Sequence, residues 1–213
     1  MQNRWYIAIA ALIFAACTGP ESKLPVLGEP TVSRHFSGGK EIAVTTWPKI
    51  PPFSFTGQDG RLVTEKTFAG HIYVADFIFL SCPSICPKMT AEMKKVYDAF
   101  TKEDRVLFLS HTIDPERDTV PRLYAYAEAM HIDHQKWRFV TGDIDSIYKI
   151  AEKSYFSTAT KDSAAPGGYI HGGGLLLVDT DRHIRGVYNG TNDKEAERLI
   201  ADIKKLLKET TTR

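Results

Sequence analysis

The nine residues from Ile72 to Leu80 are apolar except for Asp76, and most are β-branched or aromatic. A strand with one solvated face alternates polar and apolar positions, so a run this unbroken predicts a strand buried on both faces. Such a strand demands helices above and below a largely parallel sheet. The flanking segments supply them. Met89, Met93, Val96 and Phe100 recur at helical spacing, with Lys94, Lys95 and Asp98 on the opposite side. Val106 to Leu109 reads as a second buried strand. Thr119 followed by Pro121 opens a helix through Met130, since proline fits a first turn whose N–H groups have no helical partner anyway.

The rest of the pattern extends the same architecture. Trp137 to Val140 supplies a third strand, Ile144 to Lys153 a short helix, Leu175 to Val178 with Ile184 to Tyr188 a hairpin, and Ala196 to Leu207 an amphipathic closing helix. Upstream, Phe53 to Thr56 and Leu62 to Thr64 flank the turn signal Gln58-Asp59-Gly60. This order predicts an α/β, thioredoxin-like fold: a central mixed sheet flanked by helices, with an N-terminal hairpin extension. Its parallel part predicts a functional site at the carboxyl ends of the strands.

Composition narrows the partners. The chain has 213 residues, 43% hydrophobic and 25% charged, which suits one soluble globular domain. Lysine plus arginine (27) nearly cancels aspartate plus glutamate (26), so no basic field draws in nucleic acid. Three cysteines are too few for a disulfide scaffold and sort by position instead.

The N-terminus accounts for one of them. Arg4 precedes an apolar run from Trp5 to Ala16, then Cys17 follows two small residues. A membrane span needs about 20 apolar residues, so this shorter run reads as the core of a secretion signal. Phe14-Ala15-Ala16-Cys17 resembles the lipobox of bacterial lipoproteins, with phenylalanine in place of the usual leucine. That resemblance implies a cleaved signal at residues 1–16 and a lipidated Cys17; the rival reading is an uncleaved signal anchor with Cys17 a bystander. Both put the domain outside the cytoplasm, membrane-anchored on the periplasmic side or in the cell envelope. Residues 17–40, rich in glycine, proline, serine and charge, read as the lipidated cysteine and a linker, and 41–213 as the domain.

The other two thiols sit where the fold predicts a site. Cys82-Pro83-Ser84-Ile85-Cys86 follows the buried strand directly and leads into the next helix. A helix N-terminus favours the thiolate, which is both the nucleophile and the metal ligand. A pair of buried cysteines packed as small hydrophobes is the bland alternative. Three intervening residues, rather than the two of thioredoxin-type redox motifs, leave more room between the sulfurs for an ion.

The segment Asp76-Phe77-Ile78-Phe79-Leu80-Ser81-Cys82-Pro83-Ser84-Ile85-Cys86-Pro87-Lys88-Met89-Thr90 resembles the copper-site segment of the Sco/SenC proteins, copper-binding assembly factors for cytochrome c oxidase. Asp114-Pro115-Glu116-Arg117-Asp118 is similar to a second family motif, and Trp137-Arg138-Phe139-Val140-Thr141-Gly142 to a third. The resemblance covers about residues 53–203. It implies copper, as Cu(I), Cu(II) or both, held by Cys82, Cys86 and a later histidine whose position falls on His171. It implies as partners the copper-bearing subunit of cytochrome c oxidase, another periplasmic copper chaperone or a thiol reductant, and the membrane through the lipid. The family's histidine is usually followed by serine or threonine, whereas Gly172 follows here, so a hydrogen bond orienting the ring is missing or supplied elsewhere.

Without the resemblance, seven histidines compete. His35, His71, His131, His134 and His183 fall in the linker, in turns or at a helix end. His111 and His171 remain, both beside strands near the expected site. Glycines around His171 suit a mobile loop that closes on an ion; His111 is the rival, as ligand or as exchange partner. Asp114 and Asp118 read as turn and helix-cap residues.

Two thiolates and one imidazole form a soft site suited to Cu(I), with zinc the chemical competitor. Three functions fit: a metallochaperone, which is not an enzyme; a thiol-disulfide oxidoreductase using Cys82 and Cys86; and a copper- or redox-responsive signalling module. Against the second, the position before Leu175 carries glycine and histidine where thioredoxin-like reductases usually have a cis-proline.

Overall fold

The computed structural model describes residues 23–162 and 164–211. The segment read as a secretion signal and Cys17 lie outside the described residues. A seven-stranded mixed sheet forms the centre, in the order β11-β10-β5-β6-β7-β3-β4. The strand read from the apolar run is β5 (Ile72–Ile78), and all seven of its residues are buried. It pairs in parallel with β6 (Val106–Thr112) on one side and antiparallel with β10 (Gly174–Val178) on the other. β7 (Trp137–Thr141) continues the parallel set, and the hairpin β3 (Ser54–Gly57) with β4 (Leu62–Thr64) closes that edge. β11 (Ile184–Asn189) forms the opposite edge. The thioredoxin-like arrangement expected from the element order is the one observed.

Among the described residues, four α-helices cover the sheet. α1 (Cys86–Ala99) buries Met89, Met93 and Val96 as the spacing predicts, and Tyr97 besides, while the predicted Phe100 is buried just past its end. α2 (Val120–Ala129) opens with Pro121 in its first turn. α3 (Ile144–Ser154) is capped by Asp143, whose carboxylate accepts from the Ser146 N–H at 2.8 Å. α4 (Asp193–Thr211) buries Leu199, Ile203, Leu206 and Leu207 and packs on α1 and β11. No helix among the described residues is long and apolar enough to cross a membrane.

Within the stretch read as a linker the chain is more ordered than its composition suggests. β1 (Thr31–Ser37) and β2 (Lys40–Thr46) pair as a hairpin around Gly38 and Gly39, whose positive φ angles of 59° and 76° suit a two-residue primed turn. The boundary expected at residue 41 therefore falls inside a hairpin. Every residue of both strands is exposed, Phe36 at 79%. With no buried face there is no apolar alternation to read, although the Gly-Gly turn was visible. On either side of the hairpin the chain is fastened to the far end of the sheet: Leu27 N–H donates to Ile184 O at 2.8 Å and Ile50 N–H to Arg182 O at 2.9 Å.

A second element escaped the sequence. β8 (Ala159–Lys161) and β9 (Tyr169–His171) form a separate two-stranded sheet, pairing Ala159 with His171. These strands are three residues long, too short to show a period. His171 thus sits on a short paired strand, not on the mobile loop expected from its glycines.

Candidate metal centre

The site assembles at the carboxyl end of β5. Past the strand the chain turns, the Cys82 N–H donating to Phe79 O at 3.1 Å, and Cys86 becomes the first residue of α1. Pro87 follows it in the first turn, where an N–H would have no helical partner. The Cys86 N–H, freed by its position in the first turn, points at Cys82 Sγ at 3.5 Å, and the Ser84 hydroxyl lies 3.6 Å from the same sulfur. Both thiols are free. His171 comes from the other end of the sequence and brings Nε2 to 3.1 Å from Cys86 Sγ. One donor atom from each of Cys82, Cys86 and His171 lies within 4.8 Å of the others, the span one ion can bridge.

The two sulfurs are not equivalent. Burial pushes the Cys82 thiol up, but hydrogen bonds from the Cys86 and Ser84 backbone and from their side chains outweigh it, leaving Cys82 below the ordinary thiol value. Cys86 is lifted well above it, by burial first and by the neighbouring Cys82 sulfur second. Cys82 is therefore the readier thiolate. Burial also lowers His171, partly offset by backbone contacts at Gly172 and Phe77, which favours the neutral imidazole that can bind a metal.

A side chain at Gly172 would require only the Ser157 hydroxyl to move. A Cβ there would stand 2.7 Å from Ser157 Oγ. The ring is oriented instead by the main chain, with His171 Nδ1 3.3 Å from Gly172 O, and by the Phe79 ring, edge-on at 5.6 Å. Gly167 is constrained, since it has φ 78° and a Cβ there would meet Phe79 at 2.7 Å.

Asp114 and Asp118 do more than shape a turn. Asp118 is fully buried and accepts the Leu80 N–H at 3.0 Å and the Thr112 hydroxyl at 2.6 Å, fixing the segment that leads into Cys82. Asp114 accepts the Tyr169 hydroxyl at 2.8 Å and pairs with Arg117, which reaches Gly167 O at 3.1 Å, fixing the strand that carries His171. One loop thus clamps both halves of the site. Tyr169 and Phe79 were not singled out in the sequence; only their places beside His171 and Cys82 could have pointed to them.

His111 does not join the group. It is fully buried on β6, stacked on Phe77 at 5.0 Å and edge-on to Phe55 at 5.2 Å, and neither ring nitrogen has a partner. Burial drives it down to about 3, so it is a neutral core ring. A second trio, Asp179, Asp181 and His183, also lies close together. Asp179 there caps a turn, accepting the Asp181 and His183 N–H groups at 2.9 Å, and Arg185 stands 3.0 Å from its other oxygen. A guanidinium in that position opposes a cation.

Comparison with known proteins agrees with this geometry. A SCO1/SenC family profile matches residues 45–208. The crystal structure of a SCO1/SenC family lipoprotein from Bacillus anthracis str. Ames aligns with TM-score 0.69 and 32% identity, over 75% of this chain and 95% of that one. BsSco, described as a member of the Sco family of cytochrome c oxidase assembly proteins and studied for a disulfide switch, aligns with TM-score 0.66 and 31% identity, over 75% and 93%. Bradyrhizobium japonicum ScoI with copper bound aligns with TM-score 0.61 and 28% identity, over 73% and 98%.

Proposed function

The chain belongs to the SCO1/SenC family, and from that premise we propose that it takes up one copper ion through Cys82, Cys86 and His171 and delivers it to the copper-bearing subunit of cytochrome c oxidase during assembly. The observation that carries this reading is the convergence of two free thiols and one neutral imidazole within 4.8 Å. Soft sulfur donors select Cu(I), and an added oxygen donor admits Cu(II). A structural zinc takes four protein ligands, whereas three converge here among the described residues. A half-buried edge site with an incomplete donor set suits an ion that is handed on. The copper-bound ScoI and the oxidase-assembly description of BsSco support cargo and acceptor respectively.

Cys17 is the lipid attachment point in this reading, holding the domain on the outer side of the cytoplasmic membrane, where another periplasmic copper chaperone loads it. The lipoprotein described from Bacillus anthracis supports the anchor.

The unequal acidity of the thiols favours a second reading, a thiol-disulfide reductase acting on the same acceptor. The Cys82 thiolate attacks an acceptor disulfide and expels one thiolate. Cys86 then attacks the Cys82 sulfur, releasing the acceptor dithiol and leaving a Cys82–Cys86 disulfide for an external thiol reductant to reset.

Complementation separates the two. In cells lacking this chain, the copper content of purified oxidase falls and wild type restores it. His171→Ala leaves the oxidase copper-poor if the chain delivers the ion. Full restoration by His171→Ala, with failure of Cys82→Ser, assigns the chain to reduction instead.

A further inference from the structure

On the α2 side of the thiols lies a cavity of about 160 Å³ that the site has not used. Cys82 and Cys86 line it together with Thr90 and Tyr126, and Ile78 and Pro87 give it apolar surface. His171 is not part of its wall. Pockets that hold whole small molecules span roughly 300–1,000 Å³, so this one has room for a single side chain. It opens to the surface and borders both cysteines. A donor that enters it therefore approaches Cys82 and Cys86 on a side that His171 does not line.

The lining limits which donor that is. The Tyr126 hydroxyl donates to Thr90 Oγ1 at 3.2 Å, so the two polar groups answer each other. A carboxylate or thiolate would lose its hydration in a largely apolar space, and a lysine would do so without an anionic partner. A neutral, soft donor on an unbranched apolar stem meets neither cost. A thioether also gains contact with an aromatic ring, here Tyr126.

We propose that the cavity between Cys82, Cys86, Thr90 and Tyr126 receives a methionine side chain of the copper acceptor, whose thioether makes the first bond to the ion during transfer. The inference rests on the copper-delivery reading above. In the step, the thioether sulfur gives a lone pair to Cu(I) and a Cu–S bond forms with no proton released and no change of oxidation state. Two acceptor thiols then replace Cys82 and Cys86, and the protons they lose go to the departing thiolates.

Cu(I)-loaded full chain in detergent is mixed with three synthetic peptides carrying two cysteines and, at one further position, methionine, norleucine or histidine. Transfer is followed by rapid gel filtration and copper analysis. Wild type transfers faster to the methionine peptide than to the norleucine peptide, by up to about tenfold. Thr90→Phe, which fills the cavity, abolishes that advantage while still holding one copper; Thr90→Leu, a smaller filler, reduces it and serves if the larger change disturbs folding. Equal rates to methionine and norleucine overturn the proposal. So does an advantage that survives both fillers, or an equal advantage for histidine. A wild-type chain that takes up no copper refutes the delivery reading itself, whereas one that holds copper yet ignores methionine refutes only this inference.

Discussion

Cys86 Sγ lies 3.1 Å from His171 Nε2, although 85 positions separate the two residues in the chain. The contact joins the first turn of α1 to the short strand β9. What aligns them is the loop from Asp114 to Asp118, which binds the lead-in to Cys82 through Leu80 and the His171 strand through Tyr169 and Gly167.

Removing one of these ties loosens the histidine without touching a donor atom. Tyr169→Phe deletes the hydroxyl that Asp114 accepts and leaves that buried carboxylate short of a partner. We expect a loss of about 1–3 kcal/mol in unfolding free energy, and a fall of about 10–100-fold in copper affinity, as for partners that orient metal ligands. Denaturant unfolding and chelator competition measure the two. An unchanged affinity would free His171 from dependence on the loop.

Gly172 offers a steric test. Introducing serine there brings a Cβ to 2.7 Å from Ser157 Oγ. Because only the Ser157 hydroxyl has to move, Gly172→Ser alone should lower stability and copper affinity slightly, and Ser157→Ala in the same chain should restore that loss, a coupling that a double-mutant cycle reads directly. Additive effects would mean that the two positions do not collide.

The sulfurs should differ in reactivity. Because hydrogen bonds hold Cys82 low while burial holds Cys86 high, iodoacetamide near pH 7.5 should label Cys82 first. Ser84→Ala removes a hydroxyl beside Cys82 Sγ and should slow that labelling. Peptide mass spectrometry distinguishes the sites, and faster labelling of Cys86 contradicts the assignment.

Asp76 carries the clearest pH dependence in the core. Burial raises its carboxyl from 3.8 to about 7, eased only by the Ser110 hydroxyl. The folded chain therefore keeps a proton that the unfolded chain releases above about pH 4. Stability is unpenalised below that point, falls as pH rises towards 7, and stays reduced above it by a few kcal/mol. Asp76→Asn should be more stable than wild type at pH 8 and nearly equal to it at pH 4. A pH-independent difference between the two chains refutes the buried proton.

Much of this was legible in the sequence because burial imposes period. The unbroken run at β5 and the repeat of Met89, Met93 and Val96 announced the sheet and α1, and the position of Cys82 and Cys86 between them followed. The hairpin of β1 and β2 was hidden because neither face is buried, and β9 because three residues carry no period. His111 looked like a rival to His171 because both lie beside strands. Only the packing of Phe77, Phe53, Phe55 and Tyr155 around it distinguishes a core ring from a donor. The clamp by Asp114 and Asp118 depends on contacts across the sheet edge that no local spacing encodes.

The most direct test of the central claim is the Cu(I) stoichiometry and affinity of the reduced full chain, measured without oxygen against a competing chelator. Wild type should hold one copper per chain, Cys82→Ser should lose it, His171→Ala should weaken it by more than about 100-fold, and His111→Phe, which keeps the ring stack, should leave it near wild type. A wild-type chain that holds copper no better than Cys82→Ser, or a His111→Phe loss as large as that of His171→Ala, would contradict the site.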